Sequence, residues 1–212
     1  MFKKTKYKVL KKVINTDLAN FCYEYLLNKR EVAKFLFDHK WVSPFSTEWG
    51  TWNDPQIPNT YSNYGDVVME TLLKGLRLRM EKESGFKLQS AYSYTRIYKT
   101  GDVLHRHKDR YSCEVSTTLA LGGDPWPIYL DPKGKEGIVG IKIDLDPGDM
   151  LMYMGCELEH WREAFPGKNC GQVFLHYNDR TKKTAKENLY DTRPLLGLPS
   201  WFKGFKLPSN KK

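Results

Sequence analysis

The residues best suited to chemistry lie in one short stretch, Tyr98-Lys-Thr-Gly-Asp-Val-Leu-His-Arg-His-Lys-Asp-Arg110. It sets His105, His107 and Asp109 at every second position. Side chains on a strand alternate between faces, so this spacing puts three metal-capable groups on one face. The chain has only five histidines, and two are here. A third, His160, follows about fifty residues later, behind a short apolar run. A His-x-Asp pair with one distant His is a donor set suited to non-haem Fe(II). Two imidazoles and a carboxylate occupy one side of the metal and leave the others open, and the carboxylate offsets part of its charge.

Three other readings of the same residues stand beside this one. A bare His-x-Asp tripeptide arises often by chance. His105 and His107 could instead serve a cupin-type His-x-His site, but such sites want a Glu four or five residues beyond the second His. Those places hold Tyr111 and Ser112, and Glu114 is too far along. His160 could be an ordinary core or surface residue. The order of the parts favours the metal reading: a Tyr-x-x-Gly turn precedes the His-x-Asp strand, and a Pro-Gly-Asp turn precedes the strand leading to His160.

Stepping outward, 212 residues suit a single domain spanning 1–212 with a sizeable core. A 40% hydrophobic and 14% aromatic composition is that of a folded chain. No apolar run approaches a membrane span, and the basic start Met1–Lys12 lacks the apolar segment of a secretory signal. The four cysteines (Cys22, Cys113, Cys156, Cys170) show no Cys-x-x-Cys spacing, as expected of reduced thiols in the cytoplasm. The net charge of +9 sits at the ends: residues 1–12 and 181–212 each carry about +6, leaving the middle about −3. Basic residues away from the histidines argue for solvated, mobile termini rather than a nucleic-acid groove.

The hydrophobic pattern supplies the elements that must position these residues. Tyr7 to Ile14 reads as a short edge strand. Thr16 or Asp17 reads as the N-cap of a helix whose stripe is Leu18, Phe21, Cys22, Tyr25 and Leu26; Arg30 to Lys40 continues it or forms a second helix. Residues 41–63 have no period and form a long loop, either a wall or lid facing substrate or an aromatic-anchored packing segment. Asp66 to Glu83 predicts a helix with Val68, Met69, Leu72, Leu73, Leu76 and Met80 inward and Gly85 at its end. About eight strands follow, near 90–99, 103–108, 114–121, 126–130, 138–144, 149–153, 157–160 and 171–178, separated by Pro/Gly turns. The fold class is therefore mainly β with flanking α: a jelly roll at 88–180, N-terminal helices of 1–87 packed outside, and a basic C-terminal tail at 181–212.

Over residues 88–180 the chain resembles the 2-oxoglutarate- and Fe(II)-dependent oxygenases, most closely their prolyl 4-hydroxylase-like branch. The shared motifs are Tyr98-Lys-Thr-Gly101, His107-Lys-Asp109, Pro147-Gly-Asp149, His160 and the final strand Gly171-Gln-Val-Phe-Leu-His-Tyr177. The resemblance implies a double-stranded β-helix and iron held by His107, Asp109 and His160. It implies 2-oxoglutarate and O2 as co-substrates, with ascorbate as an accessory reductant. The implied reaction is oxidative decarboxylation coupled to C–H hydroxylation of a peptidyl (prolyl or other) or small amino-acid-like substrate, with nucleic acid the least supported partner and no membrane. Tyr98 falls where the family contacts the co-substrate, and Thr118 on the next strand is a further candidate. The family's Arg or Lys for the distal carboxylate, nine or ten residues after the second His, is replaced by Asn169 and Cys170. Lys168, Arg96, Arg110 and Arg162 are the cationic candidates to take over, and Gln172 and His176 share the strand face of Cys170. That gap leaves one competing reading, an inactive metal-binding jelly roll that recognises a partner.

Overall fold

The computed structural model describes residues 2–134 and 139–206. Residue 138 of the expected 138–144 strand and residues 207–212 of the tail lie outside them. A short helix α1 (Phe2–Thr5) and strand β1 (Tyr7–Leu10) lead into α2 (Thr16–Asp38), β2 (Tyr61–Tyr64) and α3 (Val67–Ser84). Eight strands follow: β3 (Leu88–Lys99), β4 (Leu104–His107), β5 (Val115–Gly123), β6 (Ile128–Asp131), β7 (Ile141–Ile143), β8 (Met150–Met154), β9 (Glu159–Arg162) and β10 (Asn169–Asp179). With β1 and β2 they form two antiparallel sheets, β1-β8-β5-β10-β3-β2 and β4-β9-β6-β7. From β3 to β10 successive strands alternate between the sheets except at the β6–β7 hairpin, which is the winding of a double-stranded β-helix.

The helices lie on the outer face of the larger sheet, α3 against β3 and β10 and α2 against β5. Both faces of β5 and β10 are therefore covered, and almost every residue in them is buried. Side-chain alternation divides each strand between two cores. Leu119, Leu121, Val173, Leu175 and Tyr177 pack with Cys22, Leu26, Leu73 and Met80 beneath the helices. The other face of the strands turns between the sheets and carries the site.

The structure decides between or corrects the expectations in three places, two near the N-terminus and one in the tail. Residues 16–38 make one continuous helix, capped by Asn15, whose side chain accepts from the Leu18 amide at 2.8 Å. Its buried face is Ala19, Cys22, Leu26 and Ala33, while Leu18 and Phe21 are exposed. The helix sits close to the sheet because its Tyr23 ring lies flat against Gly122 and Gly171, where no side chain intervenes. Second, the basic N-terminus is built into the fold rather than free. β1 is an edge strand on β8, and Lys6, Lys8 and Lys11 pair with Glu157, Glu83 and Asp149 at 2.5–2.6 Å. Third, the described tail residues, through 3-10 turns at Lys183–Thr192 and Ser200–Phe202, are strapped to the body by a buried Arg193–Glu70 ion pair. By contrast α3 follows its pattern, starting at the Asp66 cap and ending at Gly85 with φ +75°. No helix among the described residues is long and apolar enough to cross a membrane, and all four cysteines are free thiols.

Candidate metal centre

β4 and β9 are neighbours in the smaller sheet, with His107 directly opposite His160. Their rings lie 4.2 Å apart, centroid to centroid. Asp109 follows two residues after His107, its amide donating to the Gly155 carbonyl at 2.9 Å. Its Oδ1 reaches 3.7 Å from His107 Nε2 and 3.5 Å from His160 Nε2. One donor atom from each of the three residues falls within 4.8 Å of the others. The expected triad is thus brought together, from a strand end and a strand that pairs beside it.

The two imidazoles are held in the tautomer that ligation needs. His107 Nδ1 sits 2.7 Å from the His105 carbonyl and His160 Nδ1 3.2 Å from the Leu158 carbonyl. A carbonyl oxygen only accepts, so each Nδ1 carries the proton and each Nε2 presents a lone pair. Burial, reinforced by the neighbouring His160, pushes the His107 pKa down, which keeps that ring neutral. Burial opposes ionisation of Asp109, but His160, His176 and the Ser116 hydroxyl outweigh it and hold the carboxyl well below its ordinary range. Ser116 Oγ donates to Asp109 Oδ2 at 2.6 Å and lies 3.0 Å from His176 Nδ1. Tyr153, opposite Ser116 on β8, brings its hydroxyl 3.3 Å from His160 Nε2. A Cβ added at Gly155 would run into Asp109 Oδ2, the Cys113 carbonyl and Ser116 Oγ, so this glycine leaves the space in which the carboxylate sits.

The three donors open onto a cavity of about 400 Å3 between the sheets. Tyr92, Tyr94 and Phe174 from β3 and β10, with Tyr64 from β2, form its aromatic wall. Asp54 and Gln56, from the aperiodic segment before β2, close one side. That segment is both wall and packing element: Trp52 rests against Phe37 and Tyr61, at 6.1 and 5.1 Å between ring centroids. Arg110 borders the mouth, its guanidinium 4.6 Å from the Tyr92 ring centroid and 2.8 Å from Asp191 in the tail.

The remaining candidates are placed differently from one another. Tyr98 and Arg96 are buried on the inward face of β3, Arg96 Nη1 3.4 Å from the Tyr98 hydroxyl. Arg96 already has an anion, Asp54 at 2.5 Å, and also donates to Gln56. Thr118 and Gln172 face inward from β5 and β10 and bond to each other at 3.1 Å. Lys168 is exposed before β10, its amide on Asp124 at 2.6 Å, and does not join this group. His105 is exposed and offers only its carbonyl. His176 lines the cavity, with burial pushing its pKa down to about 4. Ser116, Tyr153, Gly155 and Asp54 have no motif of their own. Of these only Ser116 carried a signal, two residues from Thr118 on the same strand face.

No family model matches the sequence, and no curated protein matches it. Solved structures do. A prolyl-4-hydroxylase from Pseudomonas putida superposes with a TM-score of 0.58 at 15% identity, over 84% of this chain and 95% of that one. This chain shares the double-stranded β-helix of the prolyl hydroxylases. A prolyl hydroxylase from Trichoplax adhaerens, in complex with a hypoxia-inducible-factor peptide fragment, gives a TM-score of 0.56 at 15% identity over 85% and 86% of the two chains. HygX from Streptomyces hygroscopicus, with nickel, 2-oxoglutarate and hygromycin B bound, gives 0.60 at 15% identity over 84% and 85%.

Proposed function

We propose that the protein is a non-haem Fe(II) dioxygenase. It couples oxidative decarboxylation of 2-oxoglutarate to hydroxylation of a C–H bond in a peptidyl (prolyl or other) or small amino-acid-like substrate. The observation that carries this reading is the convergence of His107 Nε2, Asp109 Oδ1 and His160 Nε2 beside an open cavity, with both Nδ1 atoms committed to carbonyls. The two imidazoles and the carboxylate would suit a divalent iron held beside the cavity. Bound there, Fe(II) supplies the redox centre at which O2 is reduced with electrons from the 2-oxo acid. The balance is 2-oxoglutarate + O2 + R–H giving succinate + CO2 + R–OH. C1 of the 2-oxo acid leaves as CO2, one oxygen atom enters succinate and the other enters the C–H bond.

The protein's own residues bind and orient. Ser116 and the gap above Gly155 fix the Asp109 carboxylate. The wall of Tyr64, Tyr92, Tyr94 and Phe174 excludes water and offers flat apolar surface to a ring or aliphatic side chain. Asp54, Gln56, Lys108 and Arg110 at the cavity provide polar contacts for amide or charged groups of the substrate. A cavity of about 400 Å3 suits one amino-acid-sized group. Of the similar structures, one holds a peptide and another a small molecule, in keeping with both substrate classes. Four free thiols suit a reducing, intracellular compartment.

The test is succinate formation from 2-oxoglutarate under air, with Fe(II) and ascorbate, against Asp109→Ala. The wild type is expected to form succinate in slow uncoupled turnover and the variant none. Absence of succinate, together with no anaerobic charge-transfer band on adding 2-oxoglutarate to the Fe(II) protein, would overturn the assignment.

A further inference from the structure

Arg162 follows the ligand His160 by two residues on β9, so both side chains point between the sheets. It is 1% exposed, one of the largest fully buried side chains of the protein. Nη1 donates to the Trp126 carbonyl, and the guanidinium lies 5.0 Å from the Trp126 ring centroid. Nε and Nη2 are buried and have no hydrogen-bond partner. Among the described residues no carboxylate pairs with it, unlike Arg96, Arg106, Arg110 and Arg193, each of which has an acid. An arginine does not shed its proton, so a full positive charge with two idle donors sits in the interior. Such a group is costly unless something anionic completes it.

The position of the charge says what completes it. The side chain reaches across the sandwich toward Cys170 on β10. Burial raises the Cys170 thiol pKa, and the Arg162 charge is the largest influence working against that rise. Cys170 stands where a basic residue is expected on the final strand, so the cation arrives at that place from the facing sheet. Cys170 and Trp126 belong to one buried apolar cluster with Tyr98, Phe165 and Phe174. Arg162 lies two residues from His160 on the same strand face. A 2-oxo dicarboxylate with one end beside the three donors would turn its far carboxylate toward the guanidinium, whereas a 2-oxo monocarboxylate leaves the charge bare.

We propose that Arg162, delivered from β9 in place of a basic residue on the final strand, binds the distal carboxylate of 2-oxoglutarate and selects a 2-oxo dicarboxylate over a 2-oxo monocarboxylate. The inference rests on the oxygenase reading above and assigns a residue within it. Two charge-assisted hydrogen bonds to one carboxylate account for the selectivity.

The test uses protein loaded with Ni(II), a redox-inert stand-in, and reads binding rather than turnover. Calorimetry compares 2-oxoglutarate with 2-oxobutyrate, which lacks the distal carboxylate. In the wild type 2-oxoglutarate is expected to bind about 30-fold tighter or more. Arg162→Gln is expected to bring 2-oxoglutarate down to the level of 2-oxobutyrate, whose own affinity stays unchanged. The same variant's unliganded melting temperature should not fall, since it removes an uncompensated buried charge; a merely structural arginine would lower it. Arg162→Lys, which keeps the charge should the Gln variant not fold, is expected to retain part of the discrimination. Undiminished discrimination in Arg162→Gln, or an equal loss for both ligands, overturns the assignment and leaves the oxygenase reading standing. A wild type that binds Ni(II) but not 2-oxoglutarate overturns both.

Discussion

The Ser116 hydroxyl donates to Asp109 Oδ2 at 2.6 Å and so leaves Oδ1 as the oxygen that faces His107 and His160. The serine thereby decides which lone pairs of the carboxylate would reach a metal held by the three donors. Partners of this kind typically contribute about 10–100-fold to metal affinity. Ser116→Ala is expected to weaken Ni(II) or Fe(II) binding by about tenfold, measured by chelator competition, with little change in urea stability. Equal metal affinity in the two proteins would show that the hydroxyl orients nothing.

Gly155 acts on the same carboxylate through space. An alanine methyl there would overlap Asp109 Oδ2, the Cys113 carbonyl and Ser116 Oγ at once, and the carbonyl is backbone that cannot swing aside. Gly155→Ala is expected to lose metal binding by more than the serine variant does, on the order of 100-fold. The chain should still fold, because the clash is local to the site, between the loop joining β8 to β9, Asp109 and the start of β5. Metal affinity intact in Gly155→Ala would mean that the loop yields and the glycine is not required.

The ease with which parts of this site can be read from sequence follows from the range of the interactions that make them. His107 and Asp109 share a face by strand period alone, and His160 is announced by the turn and apolar run before it. The strands from β3 to β10 are legible for the same reason, since Pro/Gly turns punctuate them. The cation that faces Cys170 is not legible. Lys168 is near it in sequence but exposed, whereas Arg162 reaches it because β9 and β10 face each other across the sandwich. Arg96 has the right face, yet Asp54 from a segment with no period neutralises it. Leu18 and Phe21 fit a helical stripe, but α2 packs through Cys22, Leu26 and small residues, an outcome set by glycines about a hundred and more residues away.

His176 should give the metal-free protein a signature in acid. Its folded pKa is about 4 against an ordinary 6.5, the cause being burial. Between these values the unfolded chain takes up a proton that the folded chain refuses, so stability rises with pH. The contribution is complete above 6.5 and is lost as the pH falls through 4, about 3 kcal/mol in all. His107, also depressed, acts with the same sign. Urea unfolding at pH 7 and pH 5 should show the wild type losing about 2 kcal/mol more than His176→Gln over that interval. Identical losses would mean that this imidazole is not the titrating group.

The Glu70–Arg193 pair should dominate the attachment of the C-terminal segment. Both side chains are buried, with Nη2 2.6 Å from Oε1, and Arg193 also donates to the Tyr190, Leu198 and Ala91 carbonyls. The pair anchors the chain just beyond Tyr190, Asp191 and Thr192, whose φ values of 50°, 53° and 66° are all left-handed. Side-chain-bearing residues pay about 1 kcal/mol or more each in that region, so the turn persists only while something holds it. Asp191 holds it by taking Tyr64, Arg110 and Lys203 at 2.6–2.8 Å, which ties the tail to the cavity mouth. Arg193→Ala leaves Glu70 charged and buried without its partner, and is expected to cost about 3–5 kcal/mol in urea unfolding. Adding Glu70→Ala should restore a part of that loss, because the stranded charge goes with it. A single-variant cost below about 1 kcal/mol, the range of exposed pairs, would show that the segment is held by its other contacts instead.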